Sequence, residues 1–118
     1  MNVKKVFRNV VIVFVFLAIF CVAGVCYLLY EIQSSVDDWF ATAQAAHPQA
    51  RDGVSALLEY VQSESHTLRE RNLAVWALGQ ARDGRALIIP EGFLTGEQCR
   101  HDSELCQKEL KKAIKLCK

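Results

Sequence analysis

Twenty of the 21 residues between positions 10 and 30 are hydrophobic, Gly24 being the exception, and none is charged or proline. At ~1.5 Å per residue a helix of that length reaches roughly 31 Å, the thickness of a bilayer's hydrocarbon core. Backbone polar groups in lipid must be satisfied within the segment itself, so the run predicts one transmembrane helix. A cleaved signal peptide also starts with basic residues, but its apolar core is only ~7–15 residues and ends in a small-x-small site. Leu28-Leu29-Tyr30-Glu31-Ile32 contains no such site. Cys21 and Cys26 follow the bulky Phe20 and Val25, which do not suit lipoprotein processing. An uncleaved anchor is expected, with Tyr27 and Tyr30 at its interfacial end.

Charge flanks the run unevenly. Lys4, Lys5 and Arg8 give a basic stub over residues 1–9, whereas positions 31–50 hold no Lys or Arg and include Glu31, Asp37 and Asp38. The positive-inside rule then predicts a cytoplasmic N-terminus in a plasma or inner membrane, with residues 31–118 extracytoplasmic. No ionisable residue within the run marks a transport path, and no small-xxx-small pair argues for tight helix dimerisation. The chain's net charge of +1 argues against nucleic-acid binding by bulk basicity.

Beyond the anchor the periodicity is helical throughout. Ile32, Val36, Trp39, Phe40 and Ala43 follow an amphipathic rhythm that continues the first helix for about four turns, until Pro48 ends it. Trp39 and Phe40 have a second reading, as residues resting on the lipid interface. Val54, Leu57, Leu58 and Val61 predict a helix over Gly53–Gln62, and Ser63-Glu64-Ser65 a turn. Thr67 and Glu70 have capping-box spacing for a third helix reaching about Ala81, with Ala74, Ala77, Leu78 and Ala81 on one narrow face. Asp83 is placed as the N-cap of a short helix over 85–89, which Pro90 and Gly92 curtail. A last helix from near Ser103 carries Cys106, Leu110, Ala113, Ile114 and Cys117 on one face, and Lys108, Lys111, Lys112 and Lys115 elsewhere. No segment reads as a strand, so the expected class is all-α.

Gln49-Ala50-Arg51-Asp52-Gly53 recurs as Gln80-Ala81-Arg82-Asp83-Gly84, 31 residues later. A period in this range is the mark of a solenoid. The stretch Arg71-x-x-Ala74-x-x-Ala77-Leu78-Gly79-x-x-x-Asp83-x-Arg85-Ala86-Leu87 resembles the HEAT-like repeat in its short form of about 30 residues. The resemblance covers residues 67–89 best and departs from the pattern at Pro90, Gly92 and Val54, the last standing where the arginine belongs in the first copy. It implies an α-solenoid of two and a half hairpins: residues 32–62, residues 67–94 and a lone helix at 103–117. It implies that Ala74, Ala77 and Leu78 pack on a partner helix, that Asp83 caps, and that Arg85 bonds to neighbouring turns. It also implies a protein–protein interaction or scaffold role. Relatives of the short repeat bring a remote enzymatic alternative, a bilin-lyase-like activity, for which so few repeats leave little room.

A solenoid this short has an open end. The lysine-rich face of the final helix, a second copy of the chain or a protein partner are the candidates to cover it. Arg69, Leu73 and Trp76 line a candidate contact groove, and Lys108, Lys111, Lys112 and Lys115 form a surface suited to an acidic partner or phospholipid. A second functional class is an accessory structural subunit of a larger membrane complex.

The outer domain lies where disulfides are permitted. Cys106 and Cys117 sit roughly 16 Å apart along one helix and cannot bridge within it. A Cys99–Cys106 disulfide is expected, with Cys99–Cys117 the alternative. Cys99, His101 and Cys106 are weak metal candidates, since their spacing matches no standard zinc motif. His47, His66 and His101 look scattered, and no GxSxG, HExxH or glycine-rich phosphate loop is present. The pairs Glu59/Glu64 and Asp37/Asp38 read as solvated surface. Neither an enzyme nor a cofactor is expected.

Overall fold

A computed structural model of the chain describes residues 2–87, 91–96 and 104–118. Within them the regular structure is helical: α1 over Val3–Ala46, α2 over Gly53–Gln62, α3 over Leu68–Ala81, a 3-10 turn over Gly84–Leu87, and α4 over Gln107–Cys117. The chain divides into two compact units, Met1–Ser34 and Ser35–Lys118.

The first unit is the bulk of α1. Its large apolar side chains are exposed: Phe14 is 67% exposed and Phe20 72%. The most apolar stretch has a mean hydropathy of 3.0, and the helix is long and apolar enough to cross a membrane. After Gly24 no glycine or proline interrupts it before Pro48, so it runs on through residues 31–46 as the periodicity predicts. His47 N–H still donates to Ala43 O at 2.8 Å before the chain turns.

The second unit is held by local caps and a small core. Asp52 is the N-cap of α2, its Oδ1 accepting from Ser55 N–H at 2.8 Å. Thr67 and Glu70 close the expected capping box on α3: Thr67 Oγ1 accepts from Glu70 N–H at 3.3 Å and Glu70 Oε2 from Thr67 N–H at 2.9 Å. Arg71 Nε donates to Val61 O at 2.6 Å, satisfying a carbonyl left open by the end of α2. α3 lies between α2 and α4. Leu57, Val61, Val75, Leu78 and Leu110 are fully buried, each contributing about 1.5–3 kcal/mol relative to exposure.

The narrow face of α3 allows close approach. A Cβ added at Gly79 would stand 2.8 Å from Ala113 Cα on α4. Trp39 and Phe40, from the end of α1, pack against this core, and Trp39 meets Tyr60 edge-on at 5.8 Å.

Two expectations are corrected. Residues Gly84–Leu87 form a 3-10 turn instead of opening the α-helix expected over 85–89, and they follow Arg82 in the left-handed conformation at φ 52°; residues 88–90 lie outside those described. The last helix starts at Gln107 rather than near Ser103, with Cys106 as its extended cap residue. Asn72 Oδ1 accepts from Cys106 N–H at 2.8 Å. The buried Gln107 anchors the preceding loop, its Nε2 donating to Phe93 O and its Oε1 accepting from Thr95 N–H.

Candidate functional site

The two pentapeptide copies meet through one guanidinium. Arg85 Nη1 donates to Asp52 Oδ2 at 2.8 Å, while its Nη2 donates to Asp83 Oδ2 at 2.7 Å and its backbone N–H to Asp83 Oδ1 at 2.9 Å. Asp52 therefore caps α2 with one oxygen and binds Arg85 with the other. The Ser55 amide and then Arg85 hold its carboxyl well below the usual carboxylate range. Arg85 does the same to Asp83, and the two carboxylates raise the guanidinium in return. All three groups are partly solvated, with Arg85 60% exposed, so the energetic return of each pair is small. What the arrangement provides is registry between two turns 31 residues apart.

A groove of ≈ 820 Å³ opens on the side of the core where α1, α3 and α4 come together. Ser35 and Trp39 of α1, Arg69, Asn72, Leu73 and Trp76 of α3, and Glu109 and Lys112 of α4 line it. Helical spacing explains the α3 contribution, because 69, 72, 73 and 76 form one stripe. Leu73 is 41% exposed, Trp76 half-buried, and Lys112 Nζ pairs with Glu109 Oε1 at 3.3 Å. The result is an aromatic and aliphatic floor with cationic groups at its rim, and among the described residues no His, Cys or Asp lines it. Such a surface can hold an apolar segment with acidic flanks.

The sequence-derived site residues divide among these places. Arg69, Leu73 and Trp76 share the groove, and Lys112 joins them, whereas Lys108, Lys111 and Lys115 are exposed on α4 away from it. Ala74, Ala77 and Leu78 are wholly buried, and Asp83 and Arg85 form the link to Asp52. Trp39 and Glu109 belong to the groove too, and only the packing of α1 and α4 on α3 reveals them. Cys99 and His101 lie outside the described residues, so the Cys99–Cys106 bridge falls outside them as well. Cys106 is buried at the start of α4. Cys117 is a buried thiol whose Sγ donates to Leu78 O at 3.5 Å, and burial pushes it above its ordinary range. Among the described residues no group of three or more His, Cys, Asp or Glu is arranged to hold a metal ion.

The histidines are not all scattered. His47 Nε2 stands 3.2 Å from His66 Nε2, although 19 residues separate them. His47 lies in the turn before α2 and His66 in the turn after it, a proximity that no short-range spacing signals. His66 stacks on Tyr60 with ring centroids 3.6 Å apart, and His47 Nδ1 faces Glu59 Oε2 at 3.5 Å.

Compared with protein-family models, curated proteins and solved structures, the chain matches none.

Proposed function

We propose that this chain is a single-pass membrane protein that displays residues 31–118 outside the cytoplasm as a short HEAT-like helical module, and that the module binds another protein. The groove lined by Trp39, Leu73 and Trp76 carries this reading, because it leaves aromatic and aliphatic surface in contact with water beside Arg69 and Lys112. Its occupant is an amphipathic segment with apolar anchors and flanking carboxylates. The repeat reading is supported by the two aspartates of the duplicated pentapeptide sharing Arg85. The orientation rests on Lys4, Lys5 and Arg8 preceding the apolar run. The role is non-enzymatic and needs no cofactor.

A photo-crosslinking residue placed at Leu73 in native membranes should give a protein adduct of discrete mass. The same probe at Lys111, outside the groove, should give none, and Arg69→Glu should suppress the adduct at Leu73. Equal labelling from both positions refutes the groove as the contact. An impermeant thiol reagent should reach Cys99 without lysis after reduction, and labelling only after lysis reverses the orientation. The second reading, an accessory subunit of a larger complex, is favoured by the Leu73 and Trp76 surface if it is a permanent interface. Residues 31–118 would then stay insoluble without a co-purified subunit, whereas a self-contained module runs as a monomer with cooperative unfolding.

A further inference from the structure

The imidazoles of His47 and His66, from the turns that flank α2, bring two metal-ligating nitrogens to the spacing that a metal ion spans. Two nitrogens each ~2.05 Å from a tetrahedral zinc ion stand roughly 3.3 Å apart. His47 Nε2 and His66 Nε2 are separated by 3.2 Å. We propose that they form a two-imidazole site for a divalent transition-metal ion such as Zn²⁺, the remaining positions being filled by water.

The surroundings support both rings. Glu59 Oε2 lies 3.5 Å from His47 Nδ1, the atom that points away from His66. A ligating histidine commonly gives its second N–H to a carboxylate, which fixes the tautomer and raises ligand basicity. Tyr60, itself 4% exposed, stacks on His66 with an interplanar angle of 5° and meets His47 edge-on at 6.0 Å, and Trp39 backs Tyr60 in turn. These contacts keep the two rings close, Nε2 to Nε2 with centroids 5.5 Å apart, so that a tilt of each ring brings both nitrogens onto one ion, while Glu59 and His66 keep solvent access to the site.

The proton inventory closes. Without metal, His47 Nδ1–H faces Glu59, its Nε2 carries the lone pair, and His66 Nε2–H donates to it. On binding, His66 moves its proton from Nε2 to Nδ1, so both Nε2 atoms present lone pairs to the ion. With both rings neutral no proton is released, and no redox change occurs. The ion would tie the chain just after α1 to the α2–α3 turn.

The test is a calorimetric titration of the full-length chain in detergent micelles with Zn²⁺ alone. Binding should be saturable at one ion per chain, and Mg²⁺, which prefers oxygen ligands, should not compete. His47→Gln and His66→Gln should each weaken it by roughly tenfold or more, and Glu59→Gln by about tenfold. Cys99→Ser and His101→Gln should leave it unchanged. Imidazole ¹⁵N spectra of the unmutated chain give a readout independent of whether a variant folds, and the Nε2 signals of His47 and His66 should both move on adding Zn²⁺. No binding at millimolar Zn²⁺, binding that survives both histidine variants, loss of binding in Cys99→Ser or His101→Gln, or ¹⁵N signals of either ring that stay put would each overturn the proposal.

Discussion

Replacing Gly79 by alanine sets two effects of opposite sign against each other. Alanine gains about 0.5–1 kcal/mol over glycine in a helix interior. Position 79 lies near the end of α3, so the lower figure applies. Against this, the new Cβ would stand 2.8 Å from Ala113 Cα and 3.1 Å from Ala113 Cβ. Carbon atoms rest at roughly 3.5–4.0 Å. The nearest obstacle is backbone, so no rotamer change relieves it, and α4 must withdraw by the better part of an ångström. That motion loosens Leu110 and Leu78, both wholly buried. Overpacking of this kind costs typically 1–3 kcal/mol. The balance is a loss of about 1 kcal/mol, or roughly 4–8 °C in Tm for a domain of this size. The assay is a thermal melt of the full-length chain in micelles, monitored by tryptophan fluorescence, since Trp39 and Trp76 are its two tryptophans and both pack on the core. Gly84→Ala is the control: a Cβ there meets nothing within 4 Å, so Tm should hold or rise. A Gly79→Ala protein as stable as the wild type would refute the close packing of α3 on α4.

Other perturbations probe the caps and the ionic link. Thr67→Ala removes one acceptor of the capping box on α3 and should cost about 1 kcal/mol, whereas Thr67→Ser should melt near the wild type. Arg82→Gly relieves the left-handed backbone at φ 52° and should stabilise by about 1 kcal/mol; a lower Tm would mean that the Arg82 side chain matters more than its backbone. Asp52, Asp83 and Glu70 all ionise at lower pH in the folded chain than in the unfolded one, so the stability they add is complete above the unfolded carboxylate range near pH 4 and is lost as pH falls through their folded values. Tm should therefore drop on acidification below about pH 4. Arg85→Gln should flatten that drop, and an unchanged acid profile in this variant would show that the link to Asp52 and Asp83 contributes nothing.

Much of the helix map is legible in the sequence because its causes are local. Thr67 with Glu70, Asp52 before Gly53, and Pro48 after His47 each act within four residues, and they set the end of α1 and the starts of α2 and α3. The duplicated pentapeptide shows where such reasoning stops. Asp52 opens a 10-residue α-helix, while the identical Asp83 leads into a 3-10 turn over Gly84–Leu87, where Arg85 folds back onto the Asp83 carboxylate. The start of α4 departs from its expected place for a related reason. Spacing to Leu110 makes Cys106 look helical, but its amide is drawn to Asn72, 34 residues upstream.

The groove is legible only in part, and the histidine pair not at all. Arg69, Leu73 and Trp76 can be grouped from helical spacing on α3 alone, but Trp39 and Glu109 join them through the packing of other helices. His47 and His66 meet because the turns on either side of that same short helix come together, and nothing in their 19-residue separation announces it.

Residues 10–30 by themselves determine the membrane-length helix, since hydrophobicity, length and the need to satisfy backbone bonds internally admit little else. The caps likewise determine where α2 and α3 begin. What only the tertiary structure decided is which side chains become neighbours: Arg85 with Asp52, Gly79 with Ala113, His47 with His66. Those contacts depend on how helices pack across 19 to 34 residues of chain, where local periodicity carries no information about the partner.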